Sequence, residues 1–144
     1  MSSRDRRPAP CPCGRTDGKG RPLAYEHCCG RYLGPLDATP APDAESLMRS
    51  RYSAFVLENA GYLLATWHAS NRPPQLDFDH GVRWLGLEVR SQKQQDDSHA
   101  QVEFVARMRD ASGRANRLHE RSRFVRELDE SGVLRWYYLD AAGD

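Results

Sequence analysis

Apolar positions recur at helical spacing between residues 44 and 67 and alternate beyond residue 82. Met48, Tyr52, Phe55 and Val56 fall at i, i+4, i+7 and i+8, which makes one apolar stripe on a helix from Ala44 to about Glu58. Asp43 stands where an N-cap is needed. Asn59-Ala60-Gly61 breaks the pattern. A second short helix then carries Ala60, Leu63, Leu64 and Trp67 on one face and ends before Pro73-Pro74. Four strands follow. Val82 to about Gln92 alternates Leu85, Leu87 and Val89, and residues 100–109 place Val102, Phe104, Ala106 and Met108 on one face. Residues 115–127 align Leu118, Glu120, Ser122 and Phe124, and the last strand is residues 134–140. Asp110-Ala-Ser-Gly113 and Asp129-Glu-Ser-Gly132 are turns. Two helices followed by an antiparallel meander predict an α+β domain, with the helices packed on one face of a curved antiparallel sheet.

The N-terminal third has no such periodicity. Residues 1–10 are rich in Arg and Pro and read as a disordered arm. Residues 11–34 hold all four cysteines, Cys11, Cys13, Cys28 and Cys29. Residues 35–43, with three prolines, read as a semi-rigid linker to the domain at 44–141. Four sulfurs gathered at two points suit one tetrahedral zinc ion in a closed, structural site, with His27 as a reserve ligand. A segment this short buries too little apolar surface to fold alone, so metal would supply its folding energy, and a chelator would then unfold it while sparing the domain. Disulfides, a redox-active pair and an iron–sulfur cluster are the competing readings. Disulfides suit a different compartment, and the spacing is not C-x-x-C.

Composition places the chain among soluble globular proteins: 144 residues, 39% hydrophobic and 28% charged. No apolar stretch is long enough to span a membrane, and the N-terminus lacks the apolar core of a secretory signal, so a cytoplasmic location and reduced thiols are expected. The net charge of +1 conceals an asymmetry. Residues 1–34 hold seven Lys/Arg against three acids, and the remainder 14 against 17. A basic module on a mildly acidic body permits contact with RNA or an acidic protein surface.

Cys11-Pro-Cys-Gly and Tyr25-Glu-His-Cys-Cys-Gly30 resemble the SEC-C zinc motif, in which a C-x-C pair and a terminal C-C or C-H pair bind one zinc ion. The resemblance implies Cys11, Cys13, Cys28 and Cys29 as ligands. Residues 15–23 look like an inserted turn that leaves the metal site intact. Leu47-Met-Arg-Ser-Arg-Tyr-Ser-Ala-Phe55, Thr66-Trp-His68, Trp84-Leu-Gly-Leu87, Leu118-His-Glu-Arg-Ser-Arg-Phe124 and Trp136-Tyr-Tyr-Leu-Asp140 are similar to the YchJ-type bacterial family. That family implies a zinc knuckle followed by a cone-shaped nuclear-transport-factor-like (cystatin-like) domain. It brings no established activity.

A cone of this kind can hold a cavity between helices and sheet. The residues expected to line it are Arg51, Trp67, His68, Trp84, Glu120 and Trp136, with Arg49, Tyr52, His119, Tyr138 and Asp140 as further polar or aromatic candidates. His119 and Glu120 are adjacent on a strand and so point to opposite faces, which argues against an acid–base dyad. Glu120, among apolar neighbours, needs a cationic partner, and Arg51 is the candidate. His68 is read as the C-terminal cap of the second helix. No Ser/His/Asp or Cys/His set and no phosphate-binding glycine loop can be defended.

Three functions follow as expectations. The leading one is a zinc-bearing binding or adaptor module whose knuckle contacts a protein or ribosomal surface. The second is a small-molecule carrier or enzyme using the cone cavity. The third is weak nucleic-acid binding through the basic N-terminal module.

Overall fold

The computed structural model describes residues 9–33 and 39–142. Residues 1–8 of the expected arm at 1–10, Gly34 at the end of the cysteine module and linker residues 35–38 lie outside the described residues, while Ala9 and Pro10 pair with Tyr25 and Ala24. Two 3-10 turns, Tyr25–His27 and Cys29–Arg31, precede α1 (Ala44–Val56) and α2 (Ala60–Ala65). The strands are β1 (Arg83–Asp96), β2 (His99–Arg109), β3 (Ala115–Leu128) and β4 (Leu134–Ala141). They form one antiparallel sheet in the order β1-β2-β3-β4. This is the α+β architecture of few helices on a curved sheet.

The sheet curves because its outer strands are irregular. β1 slips register at three places along β2, and β4 slips once along β3. Each bulge adds a residue to one strand and increases the local twist. The first bulge corrects the expected alternation in β1. Trp84 pairs with Met108 and Gly86 with Arg107, so Leu85 is the extra residue and stands 47% exposed. Trp84, Leu87 and Val89 carry the inward face instead.

Asp43 caps α1 as expected, its carboxylate accepting from the Ser46 N–H at 2.7 Å. The helix is buried far beyond one apolar stripe. Met48 and Tyr52 face the sheet, while Ser46, Ser50 and Ser53 are buried as well. Those serines recur at i, i+4 and i+7, a second stripe of small side chains. The cysteine module lies against α1, and its four cysteines share one core with Leu47, Met48, Tyr52, Val102 and Phe124.

Candidate functional site

The cysteine module is a hairpin clasped by turns. Pro10 bridges Ala24 and Thr16 bridges Pro22, with Cys11 N–H donating to the Leu23 carbonyl. The inserted residues fold back on themselves, the Asp17 carboxylate accepting from the N–H groups of Lys19 and Arg21. The insertion therefore lengthens the hairpin and returns residues 23–29 beside Cys11 and Cys13. Two glycines make the turns fit. Gly14 closes a turn on the Cys11 carbonyl with φ of +77°, in the left-handed region that glycine favours. A Cβ on Gly30 would lie 2.7 Å from the Tyr25 carbonyl oxygen.

This folding brings all four cysteine sulfurs within 4.8 Å of one another, and all four residues are at most 5% exposed. Cys13 Sγ lies 3.7 Å from Cys28 Sγ. A disulfide would need about 2.05 Å. Four sulfurs at about 2.3 Å from a central ion would stand roughly 3.8 Å apart in a tetrahedron. Spacing and donor chemistry thus fit one metal ion held by four thiolates. His27 is exposed and outside this sulfur group.

The electrostatics of the thiols point the same way. Side-chain hydrogen bonds from Cys13 and Cys29 hold the Cys11 thiol far below its ordinary range. Bonding to Cys11 and Cys13 pushes Cys29 strongly up, and burial followed by the neighbouring sulfurs pushes Cys28 up to about 12. Cys11 is favoured as the thiolate, while Cys28 and Cys29 resist ionising. A dication at the centre removes that resistance.

Side chains for which the sequence suggested no such role hold the knuckle to α1. Ser53 Oγ lies 3.6 Å from Cys11 Sγ. Arg49 donates to the Cys13 carbonyl at 3.1 Å while pairing with Glu45 at 2.8 Å. Arg15 donates to Ser46 Oγ at 3.0 Å. The stripe of serines on α1 was the available signal, since small residues allow the close approach.

The second feature is a cavity of about 320 Å³ between α1 and the sheet. Of the six residues expected there, Arg51, Trp67, Trp84 and Glu120 line it, together with Tyr52, Phe104, Ser122 and Tyr138. His68 and Trp136 do not. Trp136, 4% exposed, lines a separate cleft of about 780 Å³ with Tyr32, Leu47 and Tyr62. It shares Tyr138's face but lies one pleat further along β4, under the other end of α1. His68 follows the bridge between Trp67 and Tyr138, and its ring bonds Glu127 at 3.0 Å and Ser70 at 2.8 Å on the outside.

Two expected roles change hands. His68 does not cap α2, which ends at Ala65 with Thr66 as its C-cap residue. Arg51 does the capping: its Nη1 donates to the Leu63 carbonyl at 2.8 Å and to Thr66 Oγ1 at 2.7 Å. A helix end buried in the core needs such a donor. Arg51 consequently forms no direct pair with Glu120. Glu120 Oε2 accepts from Ser122 at 2.6 Å and from the Tyr138 hydroxyl at 3.2 Å. The Arg51 guanidinium instead lies over the rings of Tyr138 and Trp67, 4.6 and 5.2 Å from their centroids. Burial lowers Arg51 to about 10, so it keeps its charge at neutral pH. His119 lies on the opposite face from Glu120, bonded to Glu103 at 2.7 Å. Asp140 is held there too, by Arg123 at 2.6 Å. The buried indole N–H of Trp67 has no hydrogen-bond partner among the described residues.

A four-cysteine knuckle docked on two helices and a curved antiparallel meander sets the chain among α+β proteins of a helix-covered curved sheet. A family model described as YchJ, middle NTF2-like domain, matches residues 43–141. The chain belongs to this YchJ-type family, whose members are also called UPF0225 proteins. It is 64% identical over 132 residues to a UPF0225 protein of Polaromonas sp., covering 92% of this chain and 91% of that one. A Bordetella pertussis UPF0225 protein is 56% identical over 134 residues, covering 92% of each. Two solved structures share the fold. A SEC-C motif containing protein from Psychrobacter arcticus superposes with a TM-score of 0.77 at 33% identity, over 94% of this chain and 84% of its own. One from Rhodopseudomonas palustris gives 0.72 at 31%, over 94% and 99%. Among the described residues, no helix is long and apolar enough to cross a membrane.

Proposed function

We propose that this protein is a zinc-stabilised carrier of a small molecule held in the cone cavity. Cys11, Cys13, Cys28 and Cys29 hold the zinc, whose part is structural: all four positions of the tetrahedron are filled by sulfur, which leaves none for substrate. The ion ties the N-terminal hairpin to α1, and α1 roofs the cavity.

One observation carries the carrier reading. The buried, unpartnered Trp67 N–H belongs to a residue lining a half-open, largely aromatic cavity, and an unmet buried donor is costly. Both hydrogen bonds of Arg51 leave from Nη1, so its remaining donors are available beside that indole. The volume lies at the small end of ligand pockets. The ligand that fits is a small, flat, largely apolar molecule bearing an acceptor oxygen.

The test is a thermal-shift screen of the zinc-loaded protein against small aromatic amides, ketones and carboxylates. A Trp67→Phe control keeps the ring and removes the donor. A hit in the parent weakened about tenfold by Trp67→Phe supports the reading; a screen without any shift overturns it. The binding or adaptor reading rests on the knuckle tip, where residues 18–22 are all exposed. Shortening that tip and comparing co-purifying proteins tests it.

A further inference from the structure

We propose that the outer face of the sheet, at the end formed by the β2–β3 hairpin, binds the phosphate backbone of a nucleic acid. Strand register builds the site. Arg83 of β1 pairs with Arg109 of β2, and Arg107 of β2 pairs with Arg117 of β3. Directly paired residues share a face, as do positions i and i+2, so the four arginines form one grid. The face is the outer one, because Trp84 and Met108, the pair beside it, alternate to the other side, where Trp84 packs edge-on against Tyr52 of α1 at 5.7 Å. All four arginines are exposed, and so is Arg114 in the hairpin turn.

Like charges directly opposite each other weaken a sheet, and this end carries two such pairs. Its carboxylates are already engaged. Glu88 holds Arg107 and Arg90 at 3.3 Å each, Asp110 accepts from Ser112, Asn116 and the Arg114 N–H of its own turn, and Asp79 accepts from the Gly81 N–H. Among the described residues, the side chains of Arg83, Arg114 and Arg117 make no hydrogen bond or ion pair, and Arg109 reaches only the Gly113 carbonyl. Three of the four cations described in the N-terminal module are engaged: Arg15 is bonded to Ser46, Arg31 to the Cys28 carbonyl, and Arg21 pairs with Asp17, which leaves Lys19.

Guanidinium forks match phosphate oxygens two at a time. Spaced about 7 Å apart along a strand and about 5 Å between strands, they suit a chain of regularly repeated phosphates better than an irregular acidic peptide. The grid itself carries no aromatic ring, so base stacking is missing and binding should be indifferent to sequence and steeply dependent on salt.

Fluorescence anisotropy on the full zinc-loaded chain tests this, with labelled RNA, labelled duplex DNA and a labelled poly-glutamate peptide as probes over a range of KCl concentrations. The expected result is nucleic-acid binding with a log–log salt slope of about −3, from some four phosphate contacts. Arg109→Gln with Arg117→Gln should weaken it about tenfold and reduce the slope by roughly 1.5. The charge-keeping pair Arg109→Lys with Arg117→Lys should retain most of it, and Lys19→Gln with Arg21→Gln should leave it unchanged. Thermal melts keep the comparison to folded variants, and loss of the like-charge pairs should not lower the midpoint. Three results would overturn the proposal: no nucleic acid retained at the lowest salt, poly-glutamate bound more tightly than either nucleic acid, or unchanged binding by the double glutamine variant.

Discussion

The Ser53 hydroxyl sits 3.6 Å from Cys11 Sγ, so a side chain of the long helix reaches the clustered cysteine sulfurs of a segment forty-two residues away. An O–H donated to a thiolate stabilises its charge and orients the sulfur. Outer partners of this kind are worth about 10–100-fold in metal affinity. Ser53→Ala should therefore weaken zinc binding about tenfold in competition with a chromophoric chelator, with little change in the secondary structure of the zinc-loaded protein.

Zinc removal should melt the protein as one unit. The expectation that a chelator would spare the domain assumed two separate cores, yet the cysteines share one with Leu47, Met48 and Phe124. Zinc-finger peptides draw about 10–16 kcal/mol from their metal at neutral pH, comparable with the whole stability of an ordinary domain, about 5–15 kcal/mol. A single, strongly lowered transition on chelation, seen alike by far-UV circular dichroism and tryptophan fluorescence, is the expected outcome. Two separated transitions would show independent units.

Arg51→Met should cost about 3 kcal/mol in urea unfolding at neutral pH. It leaves the Leu63 carbonyl without its donor and removes the cation stacked on Tyr138 and Trp67. Arg51→Lys should recover only part of this, since an ammonium lacks the planar fork that caps and stacks at once.

Gly30→Ala tests the clasp of the knuckle. The added methyl would meet the Tyr25 carbonyl at 2.7 Å, and that carbonyl also accepts the Cys28 N–H. Moving it shifts Cys28 and Cys29 together, so both the thermal midpoint and the zinc affinity should fall. A midpoint and an affinity equal to the parent's would mean that the turn relaxes freely.

The hairpin between β3 and β4 should make stability sensitive to acid. The Asp129 carboxyl is held well below the ordinary carboxylate range, first by Arg135 and then by the Val133 N–H and Ser131. Asp140 is lowered by Arg123 and Asp110 by Ser112. A depressed carboxyl stabilises the fold above its unfolded value and loses that contribution as pH falls through the folded one. The contribution of these carboxylates to the melting midpoint should thus be nearly flat from neutrality to about pH 5 and be lost below about pH 4, read at matched zinc occupancy. Asp129→Asn should lower the midpoint at neutral pH and shallow the acid limb.

Local chemistry was enough for much of this. Helical spacing from Met48 to Val56, the Asp43 cap, the alternation of β2 and β3 and the turns at Asp110 and Asp129 depend on neighbours in the chain. So does the gathering of four cysteines in one short segment. What depends on distant groups was not legible. Leu85 left the core because a bulge against β2 moved it, Arg51 left Glu120 because the buried end of α2 needed a donor, and His68 and Trp136 fell outside the cavity because of where β4 meets α1. The buried serines of α1 acquire their role only from the knuckle packed against them. Sequence by itself determined most of the elements and the gathering of four cysteines in one segment. Tertiary structure alone decided that knuckle and cone share one core and that four arginines meet on one face, because burial and cross-strand pairing are properties of residues brought together from far apart.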